Sequence, residues 1–551
     1  MDSQNIFPDS RLRAALGLIL LLVSGHAGAD SGTDSLRLLR EQQQQLDQMR
    51  RQEQARPSGA ADIASPVPAS PLNLPTAQCL DVKTLRWEGN APLAETVRKH
   101  LAQQYTPRCL DEAALSALLR DANLALLRAG YVTSRVLLPD NAFQEGVLRL
   151  SLVTGRIAEI KADGLKPREW SAAFPGLRDG AFRLPDLEQG LDQLNRLASN
   201  RVQAELRPGV RLGESGLWLS NRPASRWHGL AGLDNSGSPD TGRAVAIVGL
   251  ARDNLLGSGD YWNLALRRSF SGDDSAWSQG LSLYASQPFG YWTGSASLAL
   301  AQSQTPLVLP GVTLHSRTVT TMPGVRLERV LHRDAHAIWS AQAGIARRKT
   351  DSRLDDERLD ISSPTHSSVE LALQYDGLSP LPWSARLSRT QGVRWFGADH
   401  DTDETAAAGL PRAQFEKWRL DLHARYRAGN WLYLADAAGQ YSPNRLPGAE
   451  ELMIADAGSV RGFQDTGVSV RRGWYLRQTL MHFFSPALQP YAGLDAGHGL
   501  TREGSEWLGS TSVGLLVSLR KQTLDIAFSP GWRQGGALPS PQLQARYSAS
   551  F

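Results

Sequence analysis

Arg461 stands in the stretch Gly458-Ser459-Val460-Arg461-Gly462-Phe463-Gln464-Asp465, one fixed positive charge beside a glycine that permits unusual backbone geometry and an aromatic ring that can anchor. A guanidinium can grip a carboxylate through two parallel hydrogen bonds. Taken alone, Arg461 reads first as a solvated loop charge. Asp495 is the second candidate. On an alternating strand Tyr491, Gly493, Asp495 and Gly497 share one face, while Ala492, Leu494 and Ala496 share the other. The flanking glycines leave room beside the carboxylate for another backbone to approach. His332 and His336, with Asp334 between, could mimic a helical metal pair, but the segment reads as a strand and turn, where that spacing does not converge. Gly257-Ser258-Gly259 lacks a phosphate-loop lysine, and no G-x-S-x-G, H-E-x-x-H or C-x-x-C occurs. The chain carries no catalytic constellation, and neither metal nor cofactor is expected.

The totals narrow the class. At 551 residues the chain has room for several domains or for one large barrel with accessories. A net charge of +4 does not point to nucleic acid. Mean hydropathy is −0.31, and no run of 18 apolar residues follows the N-terminus, which argues against helical membrane spans but not against a β-barrel, whose strands average out to polar. Tryptophan (15) outnumbers tyrosine (12) and phenylalanine (13), a bias that suits membrane interfaces.

The first 29 residues read as a secretory signal: Arg11 and Arg13, an apolar run over 14–23, and Ala27-Gly28-Ala29 before Asp30. A retained anchor is the alternative, though the apolar run is too short to span. Export makes Cys79 and Cys109 a candidate disulfide, worth ~3 kcal/mol; two free buried thiols are the other possibility.

Residues 30–56 are polar and, from 34 on, free of Gly and Pro, with only a narrow stripe of Leu36, Leu39, Leu46 and Met49. Such a helix is either a solvated tail or sits in a wet space. Residues 57–75 carry Pro57, Pro66, Pro68, Pro71 and Pro75 and form an extended linker. Residues 76–154 then predict the order β-α-α-β-β: a strand over 82–87, helices over 92–105 and from Asp111 to Gly130, and strands over 132–138 and 147–153. Residues 155–222 repeat it, with strands over 157–162, 202–206 and 216–219 and helices near 167–173 and 185–198.

From 223 to 551 the period becomes two. Trp418, Leu420, Leu422, Ala424 and Tyr426 alternate with Arg419, Asp421, His423, Arg425 and Arg427, and the same holds around Trp262–Arg267, Val369–Asp376 and Leu543–Phe551. A membrane barrel with an apolar exterior and a polar lumen requires this pattern over such a length, and about 16 strands fit. Asp495 then faces the lumen rather than lipid.

In this layout the chain resembles the two-partner secretion transporters, the outer-membrane TpsB proteins of the Omp85 superfamily that export haemolysins, adhesins and contact-dependent inhibition toxins. The repeated domains resemble POTRA domains. The resemblance rests on Cys79-Leu80, Cys109-Leu110, Gly130-Tyr131-Val132-Thr133-Ser134-Arg135-Val136 and Leu138-Pro139 in the first domain. In the barrel it rests on Asp234-Asn235, Thr241-Gly242 and Asp253-Asn254-Leu255-Leu256-Gly257, on Val460-Arg461-Gly462-Phe463, and on Asp495-Ala496-Gly497. Phe463 stands where many members have tyrosine.

The resemblance implies a 16-stranded transmembrane barrel behind two periplasmic POTRA domains, with residues 30–56 as a plug helix in the lumen. It makes 445–472 the sixth extracellular loop, folded inward so that Arg461 meets Asp495 between Gly493 and Gly497. It implies an unfolded exoprotein as partner, received by exposed POTRA sheet edges rather than by domains that are mere spacers. Outer-membrane lipid, barrel assembly machinery for insertion and a monomeric state follow from the same likeness. An assembly factor that inserts other barrels is the alternative within the superfamily.

Overall fold

The computed structural model describes residue 42 and residues 79–551, apart from 91, 273, 379–380, 405–408, 464, 502–503 and 535–540. The signal segment, the linker and all of the plug segment except Gln42 lie outside the described residues.

The first domain packs helices α1 (Glu95–Tyr105) and α2 (Glu112–Arg128) on one face of a sheet in which Val147–Val153 lies between parallel Thr84–Gly89 and antiparallel Arg135–Leu137. The side chain of Asp111 caps α2 by accepting from the Ala114 N–H at 2.8 Å. Leu115, Leu118, Ala122 and Leu126, at helical spacing, meet Leu148, Leu150 and Leu152 from the strand's inner face. Several details differ from the sequence pattern. The strand expected over 132–138 is confined to Arg135–Leu137, and a short strand Phe143–Gln144 pairs with Val147–Leu148. The strand expected over 82–87 is two strands, Leu80–Val82 and Thr84–Gly89, separated at Lys83. A further short strand, Arg108–Leu110, falls between the helices and pairs with Leu80–Val82. Cys79 and Cys109 are bonded across that ribbon, with Cα atoms 5.3 Å apart. Three residues held by a cross-link carry too little periodicity to be read as a strand.

The second domain repeats the plan with strands Arg156–Asp163, Glu214–Asn221 and Val202–Pro208, the second in the middle, and helices α3 (Pro167–Ala173) and α4 (Leu184–Asn195). It is fastened at both ends. Toward the first domain, the Gly155 N–H donates to the buried Ser134 hydroxyl at 2.9 Å and the Leu184 N–H to the Gly130 carbonyl at 2.8 Å. Gly130 has φ +86°, and a Cβ there would lie 2.9 Å from Pro185 Cδ, so only glycine lets the domains approach this closely. Toward the barrel, Arg333 reaches Glu188, Gln189 and Asp192 on α4, Gln193 donates to the Gly290 carbonyl at 3.1 Å, and Asn200 and Asn254 both donate to the buried Glu169.

The rest of the chain closes a 16-strand antiparallel barrel. The first strand, Trp227–Asp234, pairs with the last, Gln542–Ser550, from Leu230↔Ser550 to Asp234↔Arg546. The last strand but one, Gln522–Ser529, stops at Pro530, and its continuation Gly531–Arg533 pairs with the strand before it, from Leu508↔Arg533 to Ser510↔Gly531. Alternation holds as expected: along Glu416–Ala428, Leu420 and Leu422 are exposed on the outer wall, while Arg419 and Asp421 pair at 2.8 Å inside. Trp227, Trp292, Trp339, Trp383 and Trp431 ring the strand ends nearest the second domain, and Trp418, Trp474 and Trp507 ring the other side, all outward.

Candidate functional site

The eleventh barrel strand, Trp431–Tyr441, and the twelfth, Gly473–His482, are joined by a long loop that folds into the lumen. It is not a plain loop. After a 3-10 turn, Gly448–Glu450, it forms a hairpin of Leu452–Ala455 against Val468–Val470. The hairpin has its own apolar core of Leu452, Ile454, Val460, Phe463 and Val470, packed on Ala438, Leu508 and Tyr475 of the wall. Val468-Ser469-Val470 alternates, but Leu452-Met453-Ile454 is a continuous apolar run, so the sequence marks a loop here and not a hairpin.

At the hairpin's tip Arg461 is 2% exposed and Asp495 3%. Arg461 Nε donates to Asp495 Oδ2 at 2.7 Å and Nη2 to Oδ1 at 2.6 Å, the two-pronged geometry that favours arginine. The Arg461 N–H adds a bond to Oδ2 at 3.1 Å, the Ser510 hydroxyl another at 3.0 Å, and the Gln478 N–H reaches Oδ1 at 3.3 Å. Arg461 also donates to the Gln478 carbonyl at 2.7 Å and to Thr479 Oγ1 at 3.3 Å. Both charges are paired and hydrogen-bonded, the condition under which burial is tolerable.

The glycines beside Asp495 are spacers. A Cβ on Gly493 would fall 2.0 Å from Arg461 Nη2, and one on Gly497 would fall 3.0 Å from Val460 Cγ2. Gly462 has φ +87°, and a Cβ there would lie 2.8 Å from the Ser529 carbonyl. Phe463, fully buried, seats on Gly531, where a Cβ would come within 2.8 Å of its ring. The tip therefore rests on the break at Pro530. Val460, Arg461, Gly462, Phe463, Gly493, Asp495 and Gly497 come together in the structure, whereas Cys79 and Cys109 lie apart in the first domain. Ser510, Gln478 and Gly531 were missed. Alternation along Ser505–Leu519 could have aimed Ser510 inward, and Pro530-Gly531 marks a strand break.

A second cluster holds the loop's entry. Glu450 meets Arg348 Nη1 and Lys417 Nζ, each at 2.7 Å. Burial alone would raise the Glu450 carboxyl's pKa, but the Lys417 ammonium and the Arg348 guanidinium hold it well below the usual range. At the seam, Asp465 takes both Arg243 Nη atoms, at 3.0 and 2.7 Å, and Gln542 Nε2 at 3.3 Å. His332 and Asp334 pair at 3.2 Å, and Asp334 accepts from the N–H groups of His336 and Ala337, which makes a tight turn between two barrel strands. Gln42 is helical and buried, and its amide donates to the Leu300 carbonyl of the fifth barrel strand at 3.2 Å.

Residues 213–518 match the family described as haemolysin secretion/activation protein ShlB/FhaC/HecB, residues 80–155 the ShlB-type POTRA domain, and residues 156–208 a second POTRA family. The chain is 32% identical over 503 residues to the hemolysin transporter protein ShlB of Serratia marcescens, covering 88% of each. It is 28% identical over 512 residues to the outer membrane transporter CdiB of Dickeya dadantii, covering 90% of each. The solved CdiB from Escherichia coli superposes with a TM-score of 0.85 at 27% identity, over 96% of this chain and 100% of that one.

Proposed function

We propose, from the premise that the chain belongs to the ShlB/FhaC/HecB family of two-partner secretion transporters, that its POTRA domains take an unfolded exoprotein of the haemolysin or contact-dependent inhibition type and pass it through the barrel. It is an outer-membrane transporter, not an enzyme, with its POTRA domains in the periplasm.

The observation that carries the proposed route is the pairing of two features. The second POTRA domain is docked on the periplasmic rim and carries the first, and a hairpin held by buried ion pairs lies against the inner wall of the barrel. The strands Thr84–Gly89 and Arg156–Asp163 lie at sheet edges, where an extended chain can add itself through main-chain hydrogen bonds with little demand on sequence. Cargo leaves those edges, displaces the hairpin and residues 30–56, and emerges without nucleotide hydrolysis; folding outside supplies the drive. The contact from Gln42 to the Leu300 carbonyl supports a plug in the lumen. Arg461 and Asp495 hold the resting hairpin, Gly493 and Gly497 make room for it, and Phe463 seats it. The bond between Cys79 and Cys109 holds the first domain in shape. The protein works as a monomer in outer-membrane lipid, inserted by the barrel assembly machinery, which the outward Tyr547 of its final strand suits.

Removing the gene and comparing the secreted proteins tests the route. Loss of one large secreted protein, with other outer-membrane proteins intact, is expected. A general loss of outer-membrane proteins would instead make it an assembly factor.

A further inference from the structure

The Glu450 cluster lies away from the Arg461 lock and on a different part of the wall. Arg348 belongs to the seventh barrel strand, Ala337–Leu354, Lys417 to the tenth, Glu416–Ala428, and Gln440 to the eleventh. Asp495 and Ser510 belong to the thirteenth and fourteenth, Leu488–Leu500 and Ser505–Leu519. Arg348 is 7% exposed at its side chain, Lys417 13% and Glu450 14%. The hold is on backbone as well as side chain. The Glu450 carbonyl accepts from Lys417 Nζ at 3.2 Å and from Gln440 Nε2 at 3.0 Å, so the 3-10 turn itself is pinned. Two cations converge on one carboxylate on the loop, and neither cation has another carboxylate within ion-pair distance among the described residues.

We propose that Glu450 is a second positioning residue for export. With Arg348 and Lys417 it anchors the entry of the lumen hairpin to the wall, independently of Arg461, and the pore opens fully only when both anchors let go. Two attachments on separate wall sectors restrain a hairpin in tilt as well as in depth. Releasing only the tip leaves the entry in place, and releasing only the entry leaves Phe463 seated.

The full chain in planar lipid bilayers, without cargo, tests this by the frequency of large openings. Glu450→Gln and Lys417→Met each raise it about tenfold or more over wild type, because a buried pair stripped of one partner moves a two-state equilibrium by at least a tenfold step. Glu450→Gln with Arg461→Ala multiplies the two single effects, as separate anchors must. A reducible thiol cross-linker joining Glu450→Cys to Lys417→Cys returns the channel to its closed level and stops export in cells, and reduction restores both. That reversal is a readout that a merely structural role would not give. Wild-type opening frequencies in both single variants, or undiminished export with the cross-link in place, overturn the proposal. A barrel that folds only with the pair intact would make Glu450 a folding residue and overturn it too. Only the export arm rests on the proposed function; the openings are measured without cargo, so the two can fail separately.

Discussion

Arg461→Ala removes both prongs of the buried lock. Asp495 loses the bonds from Nε and Nη2 but keeps three donors: the backbone N–H of residue 461, the Ser510 hydroxyl and the Gln478 N–H. Breaking one side of a buried pair costs about 3–5 kcal/mol, and the three remaining donors place this case at the lower end, about 3 kcal/mol. That penalty falls on the latched state alone, because in the released state lumen water solvates Asp495. At 1.4 kcal/mol per factor of ten, the latched-to-released ratio falls about a hundredfold. A hairpin without its seat lies unplaced in the lumen, so export drops strongly although the barrel inserts. The assay is secretion of the exoprotein from cells, beside heat-modifiable migration of the barrel in detergent gels and its openings in bilayers. Arg461→Lys keeps the charge without the two-pronged geometry and recovers only part of export. Wild-type secretion from well-inserted Arg461→Ala protein would falsify the latch.

Gly493→Ala tests the same seat without touching a charge. Its Cβ would lie 2.0 Å from Arg461 Nη2, so the guanidinium must move, and export is expected to fall toward that of Arg461→Ala in the same secretion assay. Cys79→Ser frees the cross-link across a separation of 30 residues, worth about 3–4 kcal/mol; hydrogen exchange on the full chain should show protection lost over 79–155 and kept in the barrel. Asp465→Ala breaks an exposed pair with Arg243, whose side chain is 53% exposed, so barrel unfolding should change by no more than about 1 kcal/mol. The depressed Glu450 carboxyl makes a pH prediction: it stabilises fully above its unfolded pKa of about 4.3 and loses that only as pH falls through the folded value, so the difference in closure between wild type and Glu450→Gln should not fall on acidification from about pH 8 to pH 5.

The barrel was legible because lipid imposes a strict period of two on every strand; the glycines at 493 and 497 marked only room beside Asp495, and it was the likeness to the family that named Arg461 as the group to fill it. What escaped was set by tertiary contact. Glu450 sits in a polar stretch, Pro447-Gly448-Ala449-Glu450-Glu451, that resembles any loop until Arg348 and Lys417, about 100 and 33 residues away, are seen around it. Arg108–Leu110 is three residues long and is recognisable as a strand only by its pairing with Leu80–Val82, beside the Cys79–Cys109 bond. The hairpin strands are three and four residues long, shorter than any window in which periodicity can be counted.

The two anchors together constrain how a pore without nucleotide can open. If each is worth at most about 3–5 kcal/mol, the hairpin leaves both unaided in roughly one molecule in ten thousand to one in ten million. Folding of exported chain outside yields about 0.05–0.15 kcal/mol per residue, so on the order of a hundred residues would offset both anchors, but only after they have emerged. Folding can therefore drive export once begun and cannot begin it. The first opening must come from cargo that binds the released state better than the latched one, since a ligand shifts an equilibrium only by its differential affinity. Unfolded cargo added to the periplasmic side of the bilayer should accordingly raise opening frequency in the wild type by several tenfold steps. In Arg461→Ala, where one anchor is already gone, the rise should be about a hundredfold smaller. An equal rise in both would mean that the anchors are not what cargo overcomes.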